Sequence, residues 1–218
     1  MRRIDPKQWP RAAVYAWYRA MSYPYVGITA EVDATALVGQ TRAAGRSLFA
    51  AVMQQLVLAA NEVPQLRQRI RLDDSGEWVA EHPRVDPAYT VAVEGGLFNY
   101  ATTPSSEDPD AFAAGVAASS EAQRHNQSLE PFEGRRDDVL YMSCLPWIRF
   151  SAMSHPFSLD EIDSVPRIAW GKLVELDGRW RCPVNIVAHH ALVDGSHIGR
   201  FFTGLEARLE ALSSGRAR

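Results

Sequence analysis

The chain has 218 residues, 46% of them hydrophobic and 22% charged, with a formal net charge of −3. These are globular proportions with enough length for a sizeable core, and they exclude both a nucleic-acid binder held by basic charge and a basic membrane-surface helix. No apolar run approaches a membrane span, and Asp5, Lys7 and Arg11 interrupt the start where a signal peptide would turn apolar, so a cytoplasmic protein is expected.

In chain order, WPRAAVYAWYRAM reads as a helix with Pro10 in its first turn, and YVGITAEVDA alternates like a strand. SLFAAVMQQLVLAANEVPQL is a strongly apolar helix with Ser47 as N-cap and Pro64 near its end. So few polar positions break it that it belongs deep in the core. IRLDDSGEWVAEH reads as a hairpin turning at Ser75-Gly76, and YTVAVEGGLFNYA as a further strand bent at its glycines. DPDAFAAGVAASSEAQRHNQ has a helical pattern and DVLYMSCLPWIRFSAM reads as a strand. Residues 151–167, SAMSHPFSLDEIDSVPR, form a loop of mixed polarity that suits a substrate-facing position. PRIAWGKLVELDGRWRCPVNIVAHHAL reads as two strands joined at Asp177-Gly178. SHIGRFFTGLEARLEAL closes the chain as a helix, with Ile198, Phe201, Phe202, Leu205 and Leu209 on one face. The irregular alternation predicts an α/β fold, a mixed β-sheet with packed helices, in one domain over residues 1–218. Cys144 and Cys182 lie in apolar strand-like segments and are expected as reduced thiols.

The chemistry concentrates in NIVAHHALVDGSHIGRFF, residues 185–202. Histidine exchanges protons near neutral pH, and a strand end followed by a helix gives it a rigid platform. Asp194 is placed to organise the turn or to pair with an arginine, and Gly195 to let the chain bend where a side chain would not fit. Adjacent strand residues point to opposite faces, so His189 and His190 are poorly placed to share an ion. No carboxylate or cysteine cluster with zinc spacing accompanies His197, and no metal is expected. A nucleophile elbow, a phosphate loop and a dinucleotide fingerprint are all absent. Two readings remain from these residues: a histidine that deprotonates the substrate itself, or a structural histidine packed at a strand end.

His189-His190-Ala191-Leu192-Val193-Asp194-Gly195 matches the His-His-x-x-x-Asp-Gly signature of CoA-dependent acyltransferases. Chloramphenicol acetyltransferases, lipoyl acyltransferase cores and peptide-synthetase condensation domains share that signature. The flanking residues, with His197 and Gly199-Arg200-Phe201, resemble the chloramphenicol acetyltransferase version. WPRAAVYAWY, AANEVPQLRQRI and SCLPWIRF are similar to segments of that family in order and spacing, so the resemblance covers nearly the whole chain.

The resemblance implies a CoA-dependent acyltransferase fold and a homotrimer with active sites between subunits. It implies acetyl-CoA as co-substrate, no bound cofactor, and a small-molecule acceptor such as chloramphenicol. His190 matches the general base and Ser143 the hydroxyl that bonds the oxyanion. Asp194 and Arg11 match an ion pair that holds the His190 loop. Tyr18 matches an acceptor-contacting tyrosine, Trp17 and Phe98 fall at aromatic acceptor-pocket positions, and Lys172 matches a lysine near the CoA tunnel. Core packing is the alternative for Trp17 and Phe98. The chain departs from the family at Ala169, where a threonine is usual, and at Leu173, where a tyrosine stacks on adenine. Trp17 replaces a phenylalanine, and MSYPYVG differs from the usual acceptor-lining segment. Two alternatives follow: an acyltransferase with another hydroxyl or amine acceptor, and a non-catalytic trimeric scaffold.

Overall fold

The computed structural model describes residues 1–126, 136–158 and 161–213; Gln127 of the fourth helical pattern and two positions of the 151–167 loop lie outside them. The chain opens with β1 (Arg2–Ile4), α1 (Ala12–Arg19), β2 (Tyr25–Asp33), α2 (Thr35–Ala43) and α3 (Leu48–Asn61). The hairpin β3 (Gln68–Asp73) and β4 (Gly76–Glu81) follows, then β5 (Asp86–Ala92), β6 (Phe98–Thr102) and α4 (Pro109–Gln123). The last part holds β7 (Val139–Leu145), β8 (Arg167–Gly171), β9 (Val174–Leu176), β10 (Arg179–His189) and α5 (Gly195–Ser213).

The main sheet runs β2-β10-β8-β7-β5-β6, with β9 paired to β10; a small sheet runs β1-β4-β3. The main sheet is mixed: β10 is antiparallel to β2 and β8, while β7 is parallel to both β5 and β8. Alternation along β10 shows that this inner strand is buried on both faces. Cys182, Val184, Ile186 and Ala188 face one way into the main apolar core. Asn185, Val187 and His189 face the other way and are buried too. The core is completed by α3, whose Ser47 cap accepts the Ala50 amide at 3.3 Å. Met53, Leu56 and Val57 of α3 are wholly sealed from water; burial of each such side chain stabilises the fold by about 1.5–3 kcal/mol.

Several elements differ from the sequence reading. YTVAVEGGLFNYA is two antiparallel strands, β5 and β6, because Gly95 and Gly96 take φ of 83° and 76° and reverse the chain. β7 stops at Leu145, where Pro146 removes the next ladder donor. The stretch from Arg167 makes three strands, not two. After Gly171 the Lys172 amide turns out of the sheet to donate to Ile148 O at 2.7 Å. The short strand β1 and helix α2 carried no periodic signal strong enough to read.

Candidate active site

The His-His stretch ends β10, the strand beside edge strand β2. His189 is the last residue of β10, paired with Tyr25, and the His190 amide donates to Pro24 O at 2.7 Å. The Leu192 and Val193 amides both donate to His189 O at 3.0 Å, closing a tight turn. Ala191, Leu192 and Val193 plug the core beneath it. Asp194 then caps α5: its Oδ1 accepts from the Ser196 amide at 3.0 Å and the Ser196 hydroxyl at 2.7 Å. A Cβ at Gly195 would meet no atom within 4 Å, so space does not demand glycine there, contrary to the sequence expectation.

One face of α1 sets this turn. Arg11, Tyr15, Tyr18 and Arg19 recur at helical spacing and so line one side. Arg11 Nη1 donates to Asp194 Oδ2 at 2.6 Å, while its Nε and Nη2 are buried with no partner, so that carboxylate is the group that holds the guanidinium. Tyr18 stacks on His190 with ring centroids 3.8 Å apart and planes 12° from parallel. Tyr15 OH and Arg19 both donate to Glu77 of the hairpin, at 2.6 Å and 2.7 Å, and tie the helix down from the other end. His190 Nδ1 is buried without a hydrogen bond, so the Tyr18 stack, not a polar partner, sets the plane of the ring. Among the described residues Nε2 makes no hydrogen bond and it is not sealed, which leaves it as the nitrogen open to a substrate.

The neighbouring charges have clear causes. Burial alone would raise the Asp194 carboxyl, but hydrogen bonds from Ser196 and Arg11, with the positive guanidinium, hold it below the usual range. Burial, assisted by Arg19, pushes His189 down to about 4, so its ring is neutral. His189 Nδ1 accepts the Ala191 amide at 3.2 Å and its ring meets Tyr25 edge-on at 5.4 Å, which are structural contacts. Burial also lowers His197. Its Nδ1 accepts the Asp194 amide at 3.0 Å; the same nitrogen lies 3.0 Å from Asp194 Oδ1, but an amide can only donate, so we assign Nδ1 as the acceptor.

The remaining sequence-derived residues lie apart from His190. Ser143, half-buried on β7, is level with Ala169 on β8, which is level with Asn185 on β10. His189 is four residues further along, so four residues of rise and two strand spacings put Ser143 about 16 Å from it. Lys172 is exposed beyond the far end of β8, and Phe98 lies half-exposed on edge strand β6. Trp17 points off the functional face of α1 and is 68% exposed; the core-packing alternative fails for it. Ala169 is fully buried and Leu173 packs against the core.

Sequence reasoning missed a second cluster on the odd-numbered face of β10. Phe157 of the loop stacks on Tyr25 at 3.7 Å, and Arg167 sits 3.8 Å over Phe157 while paired to Asp163 at 2.5 Å. His155 bonds Asn185, which bonds Thr29. The polar residues of the 151–167 loop were a weak sign of it; nothing paired them with β2 and β10. Among the described residues, no group of three or more His, Cys, Asp or Glu is placed to hold a metal ion, and no helix is long and apolar enough to cross a membrane.

The mixed sheet, the capped turn and the ring clamped on α1 define the CoA-dependent acyltransferase fold. A family model described as chloramphenicol acetyltransferase matches residues 1–206, and the chain belongs to that family of acyltransferase enzymes. It is 26% identical over 205 residues to chloramphenicol acetyltransferase 2 of Escherichia coli, covering 94% of each chain. It is 30% identical to a Bacillus pumilus chloramphenicol acetyltransferase over 156 residues, 71% of this chain and 69% of that one. A solved chloramphenicol acetyltransferase superposes with a TM-score of 0.85 at 24% identity, covering 94% of this chain and 98% of that one, which shows the shared fold.

Proposed function

We propose that the protein is an acetyl-CoA-dependent O-acetyltransferase that acetylates the primary hydroxyl of chloramphenicol and so confers resistance to it in the cytoplasm. The observation that carries this reading is His190: a ring held flat on Tyr18, at the end of a rigid strand, with Nε2 open. Nε2 takes the proton of the acceptor hydroxyl as its oxygen attacks the thioester carbonyl carbon. The tetrahedral intermediate carries its negative charge on the former carbonyl oxygen, and the Ser143 hydroxyl donates to it, worth about 2.7–4 kcal/mol for such a donor. The C–S bond then breaks, and CoA leaves as its thiol with the proton from the imidazolium. No acyl-enzyme forms, and Asp194 and Arg11 support the turn without touching the reacting atoms. Tyr18 contributes to the acceptor side, with Trp17 and Phe98 as further aromatic walls, and Lys172 to CoA binding.

Separation within one chain supports a shared site. Strand register sets the backbone of Ser143 about 16 Å from that of His189, too far for Ser143 and the neighbouring His190 of one chain to act on one carbon, and a second copy supplies the partner, Ser143 of one subunit working with His190 of the next. We therefore propose a homotrimer of one-domain subunits. Edge strand β2, paired on one side only, and exposed Trp17, Ile28, Trp147 and Ile148 supply surface for the contact. Assay of free thiol release from acetyl-CoA with chloramphenicol tests the reading. Release that does not depend on chloramphenicol would point to another hydroxyl or amine acceptor, which the polar Arg167–His155 cluster favours as the second reading. CoA binding without release to any acceptor would leave a scaffold.

A further inference from the structure

His155 is a second imidazole held for use, and nothing in the acyl-transfer steps above employs it. It hangs from the loop over the sheet face opposite the helices, half-buried. Its Nε2 lies 2.9 Å from Asn185 Oδ1. Asn185 is 2% exposed and turns its Nδ2 to Thr29 Oγ1 at 2.9 Å, which leaves Oδ1 as the atom presented to His155. An amide oxygen can only accept, so Nε2 carries the ring proton and Nδ1 keeps a lone pair. Among the described residues Nδ1 has no partner, and it is not sealed from solvent. Burial lowers the pKa of the ring, and the Arg167 charge lowers it further, so His155 stays neutral and its free nitrogen accepts only.

Position gives this nitrogen a purpose. Asn185, Ala169 and Ser143 are laterally paired across three strands, and paired residues share a face. Asn185 and Ser143 are thus two strand spacings apart, about 10 Å, which is the length of a small acceptor molecule. Asn185 and Thr29, cross-strand partners, form a rigid base that fixes both the tautomer and the ring.

We propose that His155 is a specificity-determining residue that accepts a hydrogen bond through Nδ1 from the second hydroxyl of a diol acceptor, whose other hydroxyl is acylated beside Ser143. This rests on the acetyltransferase reading. It makes the acceptor a diol and places the discriminating contact on the 151–158 loop.

The test uses acetyl-CoA with a matched pair: chloramphenicol, and its ether methylated on the secondary hydroxyl with the primary hydroxyl free. For the wild-type protein, kcat/KM should favour the diol. His155→Leu should reduce that preference by about 3–10-fold, the worth of one neutral hydrogen bond. His155→Gln, whose amide oxygen can accept, should recover part of it, which a packing role would not. In the histidine-15N-labelled wild-type protein, the His155 Nδ1 resonance should move on addition of the diol and not of the ether. Turnover with an unchanged preference in His155→Leu, or an unmoved Nδ1 resonance, overturns this inference and leaves the acetyltransferase reading standing. A wild-type protein that acetylates neither member overturns both.

Discussion

Removal of Arg11 and of Asp194 should destabilise the protein unequally, and the structure gives the difference. The pair is 20% and 29% exposed, between a surface pair worth about 0–1 kcal/mol and a buried one whose rupture costs about 3–5 kcal/mol. Arg11→Ala removes one hydrogen bond between charged groups and leaves Asp194 with its Ser196 donors, so about 1–3 kcal/mol is expected. Asp194→Ala removes the same bond, strands a guanidinium whose other nitrogens have no partner, and uncaps α5. The cap adds about 1 kcal/mol, so this loss should be the larger. Urea unfolding at pH 7 and fixed chain concentration, for both single variants and the double, gives a double-mutant cycle. We expect the double to lose less than the sum by about 1–2 kcal/mol, since each single variant already breaks the shared bond. Additive losses, or Arg11→Ala more damaging than Asp194→Ala, would refute the assignment of Asp194 as both partner and cap.

His190→Ala should lower turnover by about 10²–10⁴-fold while the protein still folds and binds CoA; turnover within about threefold of wild type would sink the base assignment. Ser143→Ala should lower kcat by about 10²–10³-fold with little change in KM, because the hydroxyl acts on charge present only in the transition state; steady-state kinetics separates the two. His189 should govern stability instead. Its folded value is pushed below the ordinary histidine value of about 6.5, so its contribution is complete above that pH and is lost as pH falls toward about 4. The term approaches about 3 kcal/mol, and His189→Phe should flatten stability against pH over that window in urea titrations. His155 and His197 are lowered too, so some slope should persist.

Much of this was readable from the chain because local rules agreed. The Ser47 cap and the apolar run of α3 formed as their residues dictate, and the hairpin formed too, though its turn is Asp74-Ser75, one residue earlier than expected, with Gly76 paired to Asp73 as the first residue of β4. The His-His-x-x-x-Asp-Gly spacing located the turn, and helical spacing from Arg11 to Tyr18 placed both on one face of α1. Contacts between distant segments left no such trace. Nothing local pairs Glu77 with Tyr15 and Arg19, or His155 with Asn185. Edge and short elements were lost for the same reason: β1 has three residues and exists because β4 offers it partners. The break of β8 after Gly171 comes from Ile148 O, distant in sequence, which takes the Lys172 amide at 2.7 Å. Strand register, which no periodicity contains, is what separates Ser143 from His190.

The central claim is that His190 of one subunit works with Ser143 of another on a single thioester. The direct test mixes His190→Ala and Ser143→Ala proteins, each nearly inactive alone, under conditions that exchange subunits. In a one-to-one mixture, random assembly pairs an intact His190 with an intact Ser143 at about one site in four, so about a quarter of wild-type turnover should return. Exchange is followed by mass spectrometry of the mixed assemblies. Mixed assemblies with no activity above that of the two parents would place both residues at a site within one subunit and contradict the account.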